Sequence, residues 1–233
     1  MIKFSNVALV TISALTLAAC GDDNNSNTVT ETPAADIPVQ YEVVLTNLTN
    51  GQPISAPALL LHDSGELWEV GEPASEALEL LAESGDSSEV VQSSFITSFA
   101  SATGGITYGD STTVIVGHTA QVQYLSFASM LGNSNDAFTG LNKIDLSGLA
   151  VNDSITFQTV AYDAGTEANT ESAETVPGPA ASGEAHNELR DDINIVTMHP
   201  GIVSQDDGLS TSALTYQQKF DNPVMSVTIT RTE

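Results

Sequence analysis

Two acidic side chains flank a glycine shortly after residue 160. Asp163 and Glu167 lie four residues apart, and Gly165 stands between them. Glycine adopts backbone conformations that other residues avoid, so the chain can turn tightly there and direct both carboxylates into one space. Converging carboxylate oxygens suit a hard cation such as calcium. The spacing therefore predicts either a calcium-binding loop or a solvated acidic loop, since a chain with 30 acidic residues forms such pairs by chance.

Other kinds of reactive site have little support in the sequence. The four histidines, His62, His118, His186 and His199, lie in separate segments, and none is spaced from another as two ligands of one metal would be. We expect no zinc site, and we expect His62 and His199 to be strand-end residues with satisfied hydrogen bonds. No Gly-x-Ser-x-Gly motif occurs either. The sequence therefore does not predict an enzyme; the alternative within that class is a carbohydrate hydrolase, which needs two carboxylates in a cleft.

The elements that must position these side chains are mostly strands. A first strand is expected over residues 39–48, where β-branched residues partly alternate with polar ones before a turn at Thr49-Asn-Gly51. One helix is expected from Pro73, which suits a first turn, to Gly85, which suits a helix end. Residues 87–99 are compatible with either a second helix or a strand.

Five further strands are expected at regular spacing beyond residue 105. They cover residues 112–116, 120–129, 154–161, 193–198 and 224–230. No internal repeat occurs, and no long helices alternate with the strands, which argues against a parallel α/β sheet. These patterns predict a mainly β fold, an antiparallel β-sandwich with one or two short inserted helices, in one domain over residues 38–233.

The N-terminus has the pattern of a bacterial lipoprotein signal peptide. A positively charged start precedes an apolar run over residues 7–17, and Leu17-Ala-Ala-Cys20 has the form of a lipobox. The run is too short to span a bilayer, so residues 1–19 are expected to be a removed signal peptide. Cys20, the only cysteine, is then the lipidated first residue. Residues 20–37 have few large apolar side chains and are expected to form a flexible acidic tether.

Net charge limits the partners of the chain. Acidic residues outnumber basic ones 30 to 5, for a formal charge of −25 at pH 7. Such a field repels phosphate backbones and anionic headgroups, so we expect no nucleic-acid partner and membrane attachment only through acyl chains on Cys20. Glycine follows Cys20, whereas aspartate there is the usual inner-membrane retention signal. We therefore expect a lipid-anchored protein of the cell envelope, in the outer membrane.

An ordered set of short motifs resembles bacterial members of the spondin N-terminal domain family. The main motifs are Asn135–Leu141 and Tyr162–Glu167. The resemblance covers about residues 38–232 and implies a β-sandwich similar to C2 domains, with a calcium ion held by loop carboxylates at one edge. The remaining motifs, in chain order, are His62–Gly65, Gly71–Glu76, Ser129–Leu131, Pro177–Pro179, His199–Ile202 and Asn222–Val224.

The resemblance also implies a ligand set for calcium. Asp136 matches the acid of the first main motif, Asp163 the first acid of the second, and Glu167 the acid four residues later. Animal members have aspartate at the last position, and they have tryptophan directly after the first acid, where this chain has Ala137. The implied function is a calcium-binding adhesion or recognition module whose partner is an unidentified protein or polysaccharide. The alternatives are the carbohydrate hydrolase and a scaffold protein of an envelope complex.

Overall fold

The structure is a computed structural model that describes residues 37–233. The expected signal peptide, Cys20 and the tether up to residue 36 lie outside the described residues. The strands are β1 Val39–Asn47, β2 Ala58–His62, β3 Ile96–Ser101, β4 Ser111–His118, β5 Tyr124–Met130, β6 Ala137–Asp145, β7 Ser154–Thr159, β8 Ala161–Asp163, β9 Thr197–Met198 and β10 Met225–Arg231; the α-helix is α1 Glu76–Ser84, and short 3-10 helices cover Val90–Gln92, Gln205–Asp207 and Tyr216–Gln218.

These strands form two sheets. The four-stranded sheet has the order β4-β1-β10-β7, and the six-stranded sheet has the order β3-β2-β5-β6-β8-β9. Every strand pairing within them is antiparallel. The two sheets pack face to face around a shared apolar core. The expected mainly β fold, an antiparallel sandwich with a short inserted helix, is confirmed.

Apolar side chains pack on both faces of the six-stranded sheet. Between the sheets, Tyr41 and Leu45 of β1 share a core with Leu61 and Phe127. On the outer side of the six-stranded sheet, Leu60 and Phe138 join a second core, to which α1 contributes Leu78 and Leu81. Strand β2 is consequently buried along its whole length, and its run of apolar residues lacks the alternation that marks a half-exposed strand. This explains why the sequence pattern did not indicate β2.

Helix α1 ends at Gly85 as the sequence predicts, but it begins at Glu76, so Pro73 precedes the helix instead of lying in its first turn. Ser75 caps its N-terminus by accepting a hydrogen bond from the Leu78 N–H, and Gly85 ends it in a left-handed conformation with φ of 74°. In the ambiguous stretch over 87–99, a 3-10 turn precedes strand β3. Among the described residues, no helix combines the length and apolarity needed to cross a bilayer.

Several predicted strands differ from those observed. The stretch 154–161 divides at Val160, so that β7 pairs with β10 in one sheet while β8 pairs with β6 in the other. The stretch 120–129 becomes a strand only at Tyr124, and the stretch 193–198 contributes only the two residues of β9. Residues 164–224, which we call the C-terminal loop region, contain only β9 and two 3-10 helices as regular structure. Part of this region packs on a small apolar cluster of Val176, Ile202 and Leu214.

Candidate metal site

Two of the predicted ligands meet at one end of the six-stranded sheet. Asp136 directly precedes β6, and Asp163 is the last residue of β8. The antiparallel register places Ala137 opposite Asp163, and the Ala164 N–H donates to the Asp136 carbonyl at 3.3 Å. The pairing of β6 with β8 therefore brings the two acidic residues together, although they belong to separate segments of the chain.

Asp136 is fully buried and only half satisfied. Its Oδ2 accepts hydrogen bonds from the Thr166 N–H at 2.8 Å, the Glu167 N–H at 3.1 Å and the Thr166 hydroxyl at 3.2 Å. Its Oδ1 has no partner. Burial, followed by the negative charge of Asp163, raises the pKa of Asp136 to about 7. One carboxylate oxygen is thus oriented by three donors while the other lies free inside the protein.

Asp163 is buried and holds the turn that the glycine permits. Its Oδ1 accepts from the Gly165 N–H at 2.8 Å, and its Oδ2 accepts from the Asn169 amide at 2.6 Å. Gly165 has φ of 71°, and a Cβ atom there would lie 2.3 Å from the Ile195 carbonyl oxygen. The tight turn at Gly165 therefore depends on glycine, both for the backbone conformation and for the close approach of Ile195.

Glu167, the third predicted ligand, lies between two groups of acids. Its side chain is buried, and burial followed by the charge of Glu83 on α1 raises its pKa to about 8, with Asp136 a smaller contributor. Glu83 is itself buried, accepts from the Asn187 N–H through Oε2 and has no partner for Oε1. Glu167 is consequently close to α1 as well as to Asp136.

A fourth buried acid, Glu171, was not indicated by the sequence. Only 1% of its surface is exposed; Oε1 accepts from the Val203 N–H at 3.1 Å, and Oε2 has no partner. Burial raises the pKa of Glu171 to about 7, and the charge of Asp163 contributes in the same direction. No short-range pattern marks this residue, because its surroundings come from the distant segment around Val203.

The histidine prediction is right for His62 and half right for His199. Both ring nitrogens of His62 have partners, the Ser64 carbonyl at 2.7 Å and the Ser126 hydroxyl at 2.8 Å. In His199, Nδ1 accepts from the Gly201 N–H at 3.0 Å, whereas Nε2 is buried without a partner. Burial lowers the pKa of His199, and the nearby charge of Asp163 opposes this shift.

The buried carboxylates are the type of ligand that a hard cation prefers, but their oxygen atoms are not arranged around a single point. In residues 37–233 no group of three or more His, Cys, Asp or Glu side chains is arranged to hold a metal ion. Asp163 is turned towards the protein donors at Gly165 and Asn169. However, unpaired buried oxygens remain on Asp136 and Glu171, and carboxylate oxygens are the ligands that calcium prefers. Binding would require these carboxylates to turn towards one another.

A cavity beside α1 is separate from these buried acids. It has a volume of about 840 Å³ beside α1, and its lining includes Glu79, Glu89 and Arg190 but no phenylalanine, tyrosine or tryptophan. None of the buried acids Asp136, Asp163 and Glu171 lines it. Trp68, the one tryptophan, packs against Phe138 and Tyr162 in the second core.

Comparison with protein families gives a match. The family model for Spondin_N matches residues 60–190, which is more than half of the 233 residues. A search of the curated proteins found no match. The matched range extends from β2 into the C-terminal loop region, and it includes Asp136, Asp163, Glu167 and Glu171 but not His199.

Proposed function

The chain belongs to the Spondin_N family, whose domains are associated with adhesion-type modules and are typically not catalytic, and we propose that it is a calcium-binding adhesion or recognition module. The observation that supports this proposal most is the group of buried acids at one end of the sandwich. Asp136 and Glu171 each retain a buried carboxylate oxygen without a partner.

A bound calcium ion would offset both the desolvation of these buried carboxylates and the repulsion between them. Asp136 and Glu167 have raised pKa values because burial disfavours their charged forms and neighbouring acids repel them. A divalent cation favours the charged forms instead, and calcium accepts six to eight oxygen ligands at flexible angles. In this proposal Asp136, Asp163 and Glu167 hold the ion together with backbone carbonyls and water. The loops so ordered form the recognition surface.

Attachment to the envelope completes the proposed function. Acyl chains on Cys20 hold the protein in the outer membrane, since several acyl chains on one residue give stable attachment where a single chain gives marginal binding. Residues 21–37 then act as the tether. Replacing Cys20 with serine is expected to move the protein from the membrane fraction to the soluble fraction. A Cys20→Ser protein that stays with the outer membrane would refute attachment through lipid.

Calcium titration tests the metal site. Unlipidated protein carrying Cys20→Ser is melted in EGTA and in calcium, alone and with Asp136→Asn or Asp163→Asn. Calcium at 100 times its dissociation constant should stabilise the parent by about 2.7 kcal/mol, or very roughly 5–10 °C in Tm. Both variants should lose this shift. Asp153→Asn is the control, because Asp153 is exposed in the turn before β7. No shift of the parent at millimolar calcium would refute the calcium site.

A pull-down against envelope proteins and extracellular polysaccharides tests the recognition role. We expect capture of a partner in calcium and its release in EGTA, because the ordered loops carry the proposed surface. Capture that persists in EGTA and in the Asp163→Asn variant would favour the scaffold alternative. Hydrolysis of a captured polysaccharide by the protein would instead favour the hydrolase.

A further inference from the structure

We propose that Glu171 is an additional ligand of the same calcium ion and that binding of the ion fixes residues 199–214 of the C-terminal loop region against the sandwich. The inference rests on the calcium site proposed above. Glu171 belongs to neither of the two motifs from which the ligand set was predicted. The observations that support the inference are the contacts of Glu171 and His199.

Glu171 is held on two sides by the protein. Its N–H donates to the side-chain oxygen of Asn135, the residue directly before Asp136, at 3.2 Å. Its carbonyl accepts from the Ala213 N–H at 2.7 Å, and its Oε1 accepts from the Val203 N–H at 3.1 Å. Glu171 therefore links the loop that carries Asp136 to the segment around residues 203–213.

The remaining oxygen of Glu171 lacks the partner that its burial calls for. Oε2 is buried without a hydrogen bond, and the charge of Asp163 acts on the same carboxyl group. Buried polar atoms in native proteins nearly always have a partner, and a buried carboxylate oxygen without one destabilises the folded state. An ion shared with Asp136 and Asp163 supplies that partner and separates the like charges.

His199 indicates which kind of metal such a site accepts. Because the Gly201 N–H donates to Nδ1, that nitrogen must carry its lone pair, so the proton of the neutral ring lies on Nε2. A protonated Nε2 is a donor and does not coordinate a metal. The charge of Asp163 acts on the His199 ring, so Nε2 is suited to donate a hydrogen bond to the Asp163 carboxylate once that carboxylate has turned towards the ion. His199 is thus a positioning residue, and the ligands are oxygen atoms, as calcium requires and zinc does not.

The contacts of Glu171 connect the ion to the C-terminal loop region. Val203 and Ala213 both donate to Glu171, and the Gln205 N–H donates to the Leu214 carbonyl, so residues 203–214 form a closed loop that is hydrogen-bonded to Glu171. Ile202 and Leu214, next to and at the end of this loop, pack together with Val176. Fixing the Glu171 side chain on an ion therefore restrains this loop through its backbone.

The test compares two glutamates of the same loop region in the Cys20→Ser protein. Glu171→Gln keeps the size of the side chain but removes its charge, and Glu174→Gln makes the same change at an exposed position three residues away. Calcium affinity is measured by calorimetry, and amide hydrogen exchange is followed with and without calcium. Glu171→Gln should lower calcium affinity at least ~10-fold and abolish calcium-dependent protection of residues 199–214. Glu174→Gln should behave like the parent.

Histidine variants test the positioning role separately. His199→Gln retains an N–H donor near the position of Nε2 and should bind calcium like the parent. His199→Phe keeps a ring but lacks the donor and should weaken calcium binding. Equal affinities of these two variants would overturn the role of His199.

The outcomes distinguish this inference from the function on which it rests. If the parent binds calcium, Asp163→Asn abolishes binding and Glu171→Gln binds like Glu174→Gln, then Glu171 is not a ligand while the calcium site stands. If the parent binds no calcium, both proposals fail. If Glu171→Gln does not fold in EGTA, Glu171→Asp replaces it, because aspartate keeps the charge but its side chain is shorter by one methylene. A calcium affinity equal to that of the parent in Glu171→Asp would also refute Glu171 as a ligand.

Discussion

The sandwich and the C-terminal loop region are ordered by different forces. In the sandwich, apolar side chains from both sheets share one core that includes Leu45, Leu61 and Phe127, and burial of such side chains provides most of the stability of a fold. The C-terminal loop region has a small apolar cluster of its own and contributes Ala164 and Val196 to the second core. Hydrogen bonds to buried acids such as Asp136 and Glu171 also hold it. Long segments with little regular structure are uncommon in a folded domain and are usually either functional or linkers. We therefore expect the proposed calcium ion and pH to act mainly on the loop region while the sandwich stays intact.

The largest effect should follow from a change in the sandwich core. Phe127 is fully buried between the sheets, and replacing it with alanine should cost about 3–5 kcal/mol of unfolding free energy, equally in calcium and in EGTA. Phe99→Ala is the matched control, because 51% of Phe99 is exposed on strand β3. Urea unfolding measures both. A loss that depended strongly on calcium would mean that the two regions are not independent.

Calcium removal should have a smaller and localised effect. Relative to calcium at 100 times its dissociation constant, EGTA should lower the stability of the native state by about 2.7 kcal/mol. Hydrogen exchange should speed up in residues 164–214, while the amides of β1 and β10, which pair in the middle of the four-stranded sheet, should keep their protection. If calcium removal accelerated hydrogen exchange equally in β1 and β10, the sandwich and the C-terminal loop region would not respond differently to the ion.

Acidic pH should stabilise the calcium-free protein. The folded-state pKa values of Asp136 and Glu171 are about 7 and that of Glu167 is about 8, whereas unfolded carboxyl groups titrate near 4. Between these values the folded state binds more protons, so stability falls as pH rises from about 4 to about 8. Melting in EGTA should show a Tm that falls as the pH rises from 5 to 8, since each unit of pKa difference is worth about 1.4 kcal/mol.

Calcium provides the control for this pH dependence. With the ion bound, the charged carboxylates are the favoured forms, so the decline between pH 5 and pH 8 should largely disappear. Asp136→Asn should also reduce the decline in EGTA, because it removes one of the groups whose pKa is raised. Stability that rose with pH in EGTA would contradict the burial of these acids.

The smallest predicted effect concerns the cap of α1, which packs on the sandwich. The Ser75 hydroxyl accepts from the Leu78 N–H at 3.2 Å, and Ser75→Ala should cost about 1 kcal/mol. Ser88→Ala, at an exposed position beyond the helix, is the control. Calcium affinity should be unchanged in both, as measured by calorimetry. A loss of affinity in Ser75→Ala would show that α1, through Glu83, takes part in the metal site.

Local patterns predicted some elements well and others poorly. Strand β1 alternates between buried and less buried residues, and α1 ends at a glycine, so each was recognisable from its own residues, although the N-cap at Ser75 was not predicted. Strand β2 lacks alternation because both of its faces are covered. The division of 154–161 between two sheets depends on where β6 and β10 lie, which is information that the stretch itself does not contain.

By itself, the sequence determined the antiparallel β class, the resemblance that the family match supports, and the turn at Gly165 beside Asp163. These follow from short-range properties, namely side-chain alternation, motif order and the backbone freedom of glycine. Only the tertiary structure decided that Asp136 lies beside Asp163, and that Glu171 and His199 are buried near them with unpaired polar atoms. The reason is that strand pairing brings distant residues together, and desolvation of a carboxylate requires the packing of the whole fold around it.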